Sequence, residues 1–262
     1  MSNVPPRWIV TSLGDLLMEL RNGVFVSRPG IENTGRPILR ISAVRPMALH
    51  VDDVRYVPAS TVVANEANSR LNEGDLLFTR YSGNQEYVGA CARVRQRVPN
   101  LLYPDKLIRG RVIPGLVDPG YLEAMMSAPQ TRAVIRRLLK TTAGQVGISG
   151  SDLRSVPVPL APYSEQLRIV AAIEEQFSRL DAGLAALARV IGPLTGVQSG
   201  RVRQLRSAIL AAAISGRLVT QDANDEHASV LLERIAAERA SSNGQKPART
   251  RKPLPPGEKV TI

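Results

Sequence analysis

The chain has 262 residues, 44% of them hydrophobic, with 34 Lys and Arg against 23 Asp and Glu and a formal net charge of +11. That hydrophobic share supports a packed core, so the chain is not a disordered basic tail, and its length fits one large domain or two modest ones. One cysteine, Cys91, excludes an internal disulfide, and two distant histidines, His50 and His227, leave no structural zinc set.

The opening MSNVPPRW has no signal-peptide apolar stretch. The longest apolar run, Ala208 to Ile214, is far short of the ~20 residues that span a bilayer, so a cytoplasmic protein without a membrane partner is expected. Residues 1–160 read as mixed strand and loop. Candidate strands are Pro37 to Val44, Asp75 to Tyr81, Tyr87 to Val94 and Leu107 to Ile113, each bounded by Gly, Pro or Asn. Two stretches carry helical patterns, one near Ser12 to Leu20 and one from Tyr121 to Lys140 behind the cap residues Asp118 and Pro119. This half reads as an α+β domain with a curled mixed sheet.

Three prolines in Val156 to Pro162 force an extended segment, read as a rigid bridge between two units. Ser164 then caps a helix from Glu165 to Ile191. Along it Ile173, Phe177, Leu180, Leu184, Leu187 and Ile191 follow at heptad spacing, a seam that needs a partner helix. Glu165, Glu174 and Glu175 are assigned to its exposed, charged face. Gly192, Pro193, Gly196 and Gly200 interrupt the pattern, which resumes at Val202, Leu205, Ile209 and Ala212. The partner is therefore a hairpin within the chain, or a second molecule. A short helix from Ser229 to Arg239 closes a helical region of 161–240, and 241–262 has the Pro, Gly and basic content of a disordered tail.

Residues 1–160 hold 20 basic and 13 acidic side chains, against 14 and 10 in 161–262, so the basic surface belongs to the first domain and the tail. Only five of the cations are lysines, and arginine's planar fork suits phosphate and guanine edges, so a nucleic acid is the leading partner. An arginine-rich genome explains the same composition. Arg80, Tyr81, Ser82 and Asn84 leave a strand end as donors and a stacking ring, the chemistry of phosphate and base contact, unless they merely turn a core strand. Lys106 and Arg109 alternate with Leu107 and Ile108, either facing DNA or on a solvated edge strand. Thr142, Gly144 and Gln145 form a small loop that either approaches a phosphate or seats the helix at Ser149. For Arg136, Arg137 and Lys140, helix-dipole compensation is sufficient explanation.

Catalytic signatures are missing. No Gly-x-x-x-x-Gly-Lys-Ser/Thr phosphate loop occurs, Asp118-Pro119-Gly120-Tyr121 lacks the second proline of an amino-methyltransferase loop, and Pro104-Asp105-Lys106 has no Asp/Glu-x-Lys downstream. The spaced glycines of Gly83 to Gly89 and Gly144 to Gly150 lack the strand-then-helix setting of dinucleotide binding. No cofactor and no catalytic residue is assigned.

Several strings, in order, resemble the specificity subunit of type I restriction-modification enzymes: GDLLFTRYSGN (74–84), LYPDKLIR (102–109), TTAGQVGISGSDL (141–153), VPVPLAPYSEQLRIV (156–170), FSRLDAG (177–183) and QLRSAILAAAISGRLV (204–219). The stretch SVLLERIAAER from Ser229 matches the family's closing segment. The resemblance implies a target-recognition domain that reads half of a split DNA site and a helical region that spaces such domains and docks methyltransferase subunits. It also implies that S-adenosylmethionine-dependent adenine methylation and ATP-driven cleavage fall to partner methyltransferase and restriction subunits. Full-length members carry two recognition domains and two helical regions, whereas this chain has room for one of each. It resembles a half-subunit that self-associates or pairs with a second half-specificity subunit. The alternative is a structural or regulatory adaptor on the same fold that does not read DNA.

Overall fold

The computed structural model describes residues 4–242 apart from Arg28, Asn33, Asn65, Ala143, Gly144 and 192–195; of Thr142, Ile191 and 196–199 it describes the backbone alone. Gly144, the expected Gly192-Pro193 break and most of the expected tail (243–262) lie outside the described residues.

In chain order the strands are β1 (Ile9–Ser12), β2 (Leu17–Asn22), β3 (Arg36–Leu39), β4 (Val44–Arg45), β5 (Ala48–Leu49), β6 (Val54–Val57), β7 (Leu76–Thr79), β8 (Tyr81–Ser82), β9 (Cys91–Arg93) and β10 (Leu107–Val112). Helices α1 (Pro119–Ser127) and α2 (Pro129–Leu138) follow, then β11 (Lys140–Thr142), β12 (Gln145–Gly147), α3 (Gly150–Arg154) and β13 (Pro157–Leu160). The long helices α4 (Tyr163–Ile191) and α5 (Gly196–Ile214) precede α6 (Ala228–Ser242). The architecture is α+β, and the named strand pairs are antiparallel; among the described residues, parallel contacts are confined to isolated bridges at Val24–Pro104 and Ile38–Leu102.

The main sheet has the order β2-β10-β7-β9, and β7 and the first four residues of β10 are buried on both faces. The period-two alternation of strands divides its side chains. Leu76, Phe78, Cys91 and Ile108 face one core with α1, while Leu77, Ala92 and Leu107 face a second with Leu101 and Tyr103. Gly110 in β10 is closely packed, since a Cβ there would lie 3.2 Å from the Phe78 ring and 3.3 Å from Leu17.

Three expected elements differ. The Ser12 to Leu20 pattern gives one 3-10 turn (Leu13–Asp15), closed by Ser12 Oγ donating to Asp15 Oδ2 at 2.6 Å, before the chain becomes β2. Pairing with β10 overrides the apolar i, i+3, i+4 spacing there. The helix expected over Tyr121 to Lys140 is two helices, because Pro129 holds Ala128 extended at φ −64° and ψ 145°. The proline segment is extended as expected, yet it is no free bridge: β13 pairs with β1 over Ile9–Leu160 to Ser12–Pro157.

The hairpin alternative holds for the helices after Ile191. Asp181 of α4 pairs with Arg206 of α5 at 2.5 Å, and the same guanidinium lies 5.1 Å from the Phe177 ring centre. Ile169, Ile173, Leu210, Ala213, Leu231 and Ile235 share the core that contains Trp8, Phe78 and Tyr121, so the base of the hairpin is fused to the sheet domain.

Candidate nucleic-acid interface

The edge strand β8 places the residues expected to contact DNA. It pairs with β12 at Ser82–Val146 and Tyr81–Gly147, and β12 pairs with β11, so Tyr81, Ser82 and Gln145 share one small sheet. Only glycine fits at 147, because a Cβ would stand 2.4 Å from the Tyr81 ring. The Arg80 guanidinium lies 4.8 Å from the same ring centre, stacked rather than ion-paired. Arg80 N donates to Lys106 O at 2.9 Å, which brings the exposed Lys106 side chain to the same edge. Asn84 is exposed, and its side chain accepts from Glu86 N at 3.0 Å, shaping the turn behind β8. Arg80, Tyr81, Ser82, Lys106 and Gln145 therefore gather at one edge, with Asn84 beside them. The Thr142 side chain and Gly144 lie outside the described residues.

Arg109 is a correction. It is 1% exposed, and its guanidinium donates to the carbonyls of Asn68 (2.9 Å) and Arg70 (3.0 Å) and to Glu19 Oε2 (2.7 Å). It also lies 5.4 Å from the Tyr103 ring centre, and burial pushes the Tyr103 hydroxyl up to about 12. The strand carrying it is central rather than an edge, so alternation turns Arg109 inward with Leu107. Ile173 is a second correction: it is buried in the chain's own core and unavailable to an intermolecular seam. Phe177 packs against that core, and Leu180 and Leu184 are half-buried. Leu187 is 43% exposed and Val190 82%, so apolar surface is bare toward the far end of α4. The Ile191 side chain lies outside the described residues. Glu165, expected on the wet face, is buried, whereas Glu174 and Glu175 are exposed and pair with Arg93 and Arg95, and with Arg179.

Sequence reasoning missed three neighbours. Phe25 is 79% exposed although Val24, just before it, is bonded through N to Tyr103 O (3.0 Å) and through O to Asp105 N (2.9 Å). Its ring is thus bare on a segment whose backbone is bonded to the Tyr103–Asp105 stretch just before Lys106. Arg45 stacks 4.3 Å from the Tyr87 ring centre. With Arg40, Ser42, Thr79 and Ser82 this pair lines a cleft of about 340 Å³. The Thr79 hydroxyl on its wall is buried without a hydrogen-bond partner among the described residues. No local pattern marks Arg45 or Phe25, since both lie in loops or short strands whose neighbours come from distant segments.

The arrangement offers donors, rings and positive charge rather than catalytic groups. Burial pushes the Cys91 thiol up, which removes it as a nucleophile. Among the described residues no group of three His, Cys, Asp or Glu side chains is placed to hold a metal, and no helix is long and apolar enough to cross a membrane.

No protein-family model matches the chain. It is 40% identical over 243 residues to the type I restriction enzyme EcoKI specificity subunit of Escherichia coli K12, covering 89% of this chain and 50% of that one. It is 27% identical over 250 residues to the StySPI specificity subunit of Salmonella potsdam, covering 92% and 52%. The chain spans about half the length of the curated relatives it matches. Among solved structures, the HsdS subunit of Thermoanaerobacter tengcongensis superposes with a TM-score of 0.53 at 16% identity, over 71% of this chain and 46% of that one. A chain from a type I restriction-modification complex gives 0.50 at 19% identity, over 82% and 47%. These two likenesses show the fold.

Proposed function

The chain belongs to the family of type I restriction enzyme specificity subunits, matching about half the length of one, and we propose that it reads one half of a split DNA site for partner methyltransferase and restriction subunits. The observation that carries this reading is the edge where Tyr81, Ser82 and Gln145 share one small sheet, with Arg80 stacked on Tyr81 and bonded through its backbone to Lys106. Cations supply sequence-independent attraction to phosphates, and amide, hydroxyl and ring groups supply contacts to base edges. The buried Arg109 and its carboxylate partners hold the central strand that supports this edge. Methylation and cleavage belong to the partners, and this chain contributes sequence choice and geometry.

Helix α4 and its hairpin partner carry the recognition domain and present the surface for the methyltransferase subunit. Leu187 and Val190 belong to the contact with a second specificity half, either another copy or a different chain. Two copies related by a two-fold axis read a gapped palindrome, because site symmetry mirrors protein symmetry.

The test is co-expression with a type I methyltransferase subunit and mapping of methylated adenines on genomic DNA. A gapped palindrome is expected for a self-paired chain, and an asymmetric gapped motif for pairing with a different half. A stable complex that methylates nothing would overturn the reading in favour of a non-reading adaptor.

A further inference from the structure

A second cleft, of about 590 Å³, adjoins the first and shares Arg45 and Tyr87 with it. Its walls come from both parts of the molecule: Arg132 and Arg136 from α2, and Arg203 and Arg206 from α5. Against these five arginines, Arg45 included, stands one lining carboxylate, Glu86, which Arg136 Nη1 meets at 3.4 Å. Asp181, outside the lining, takes up Arg206.

The arginines have different tasks. Arg132 braces the wall, with Nη2 donating to the carbonyls of Glu86 (2.9 Å) and Val88 (2.8 Å), and burial lowers its pKa. Arg206 holds the hairpin through Asp181 and Phe177. Arg203 is exposed and forms no hydrogen bond or ion pair among the described residues, and Arg45 is occupied only by its own strand's Val44 carbonyl and the Tyr87 ring. A concave surface with unneutralised charge focuses its field on an anion, and arginine forks fit phosphate oxygens.

We propose that this cleft is a phosphodiester track: the DNA strand read at the β8 edge continues past Arg45 onto the helical hairpin, where Arg203 of α5 contacts its backbone. The inference rests on the DNA-reading function proposed above and extends it to an element that resemblance presents only as spacer and docking surface. The continuity of the two clefts through Arg45 and Tyr87 favours the same duplex as occupant over an acidic segment of a protein partner. It also ties the hairpin directly to the DNA, so the spacer and the recognition edge are held in register on one strand.

The test is a salt series on the full chain with a fluorescein-labelled random-sequence duplex, comparing Arg203→Gln and Arg203→Glu with Arg179→Gln. Among the described residues Arg179 pairs only with Glu175, on the exposed side of α4, and serves as the control. Loss of one phosphate contact lowers the slope of log Kobs against log salt by about 0.9 and weakens binding alike on all sequences. Arg203→Gln should show that reduction, Arg203→Glu a larger loss of affinity, and Arg179→Gln neither. A wild-type slope in both Arg203 variants would overturn the track while leaving the DNA-reading function standing. Loss of methyltransferase association with the slope unchanged would assign the cleft to an acidic protein segment instead. A wild-type chain with no salt-dependent DNA binding would overturn both readings.

Discussion

The indole N–H of Trp8 donates to Glu165 Oε2 at 2.8 Å, tying the start of the chain to the first turn of α4. Gln221 reaches the other carboxylate oxygen from the segment before α6. Trp8 meets Tyr121 edge-on, with ring centres 6.4 Å apart, and the Tyr121 hydroxyl donates to Pro159 O at 2.7 Å in β13. Further on, Ala228 N donates to Arg7 O at 2.9 Å, and Arg7 Nη1 donates to Asp225 O at 2.7 Å. The start of the described chain, the segment leading into α6 and the proline strand thus converge on the base of the helical hairpin. That node ties the hairpin to the sheet domain at its base, which is what the spacer role proposed above requires.

Replacing Trp8 with Phe keeps most of the packing and removes the donor. A buried carboxylate left short of a hydrogen bond costs about 1–3 kcal/mol. Burial already raises the Glu165 pKa, and the Trp8 and Gln221 donors oppose that rise, so loss of one raises it further. The deficit is therefore greatest where Glu165 is ionised and shrinks as acid protonates it. Urea unfolding followed by far-ultraviolet circular dichroism should show a lower midpoint with unchanged slope at pH 7. An unaltered midpoint would mean the bond contributes nothing net.

The Asp225 carboxyl is shifted the opposite way, downward, and its contribution too is lost in acid. Hydrogen bonding to Arg168, with Nη2 at 2.5 Å, holds its carboxyl below the usual range, and Ser164 Oγ donates to it as well. A depressed carboxylate contributes stability that is present above its unfolded pKa of about 3.9 and lost as pH falls through the lower folded value. Asp225→Asn should therefore be about 1–3 kcal/mol less stable than wild type at pH 7, with the gap narrowing below about pH 4. A gap that stays constant into acid would contradict the ion pair as its source.

Periodicity and punctuation made much of this fold legible. The heptad spacing from Ile173 and the prolines around Pro157 led to α4 and to an extended β13, and the ordered strings led to the family. What escaped depends on partners far apart in sequence. Leu13, Leu16 and Leu17 satisfy a helical pattern, but β10, some ninety residues later, claims Leu17 for a strand. Arg109 and Lys106 read alike as cations beside a strand, and only the central position of β10 turns one inward and leaves the other out. Arg45, Phe25 and Arg203 acquire meaning from neighbours on other segments, which no window of sequence contains.

Arg109 and Lys106 should accordingly separate stability from binding. Removing one member of a buried, hydrogen-bonded charge pair costs about 3–5 kcal/mol, so Arg109→Gln should unfold at markedly lower urea. Lys106→Ala, at an exposed site, should leave stability within about 0.5 kcal/mol while weakening duplex binding in the same salt series. If Arg109→Gln kept full stability and lost DNA binding selectively, the inward assignment would be wrong.

The bare end of the hairpin supplies the last prediction. Leu187 is 43% exposed, Val190 82% and Leu205 of α5 53%, while Ile173 is buried beneath the chain itself. Intrachain packing therefore covers Ile173 and Phe177 of the heptad seam and leaves Leu187 exposed. Apolar side chains repeated at heptad spacing on one helix mark association, because a second helix removes them from water at about 25 cal/mol per Å². The wild-type chain should sediment as a dimer at micromolar concentration, and Leu187→Glu as a monomer with an unchanged far-ultraviolet spectrum. The same substitution should abolish methylation of a gapped palindrome while sparing salt-dependent binding to a random duplex, since the recognition edge proposed at β8 is built from other elements. A monomeric wild type across that range would end the self-pairing reading, and a Leu187→Glu dimer would move the contact to another surface.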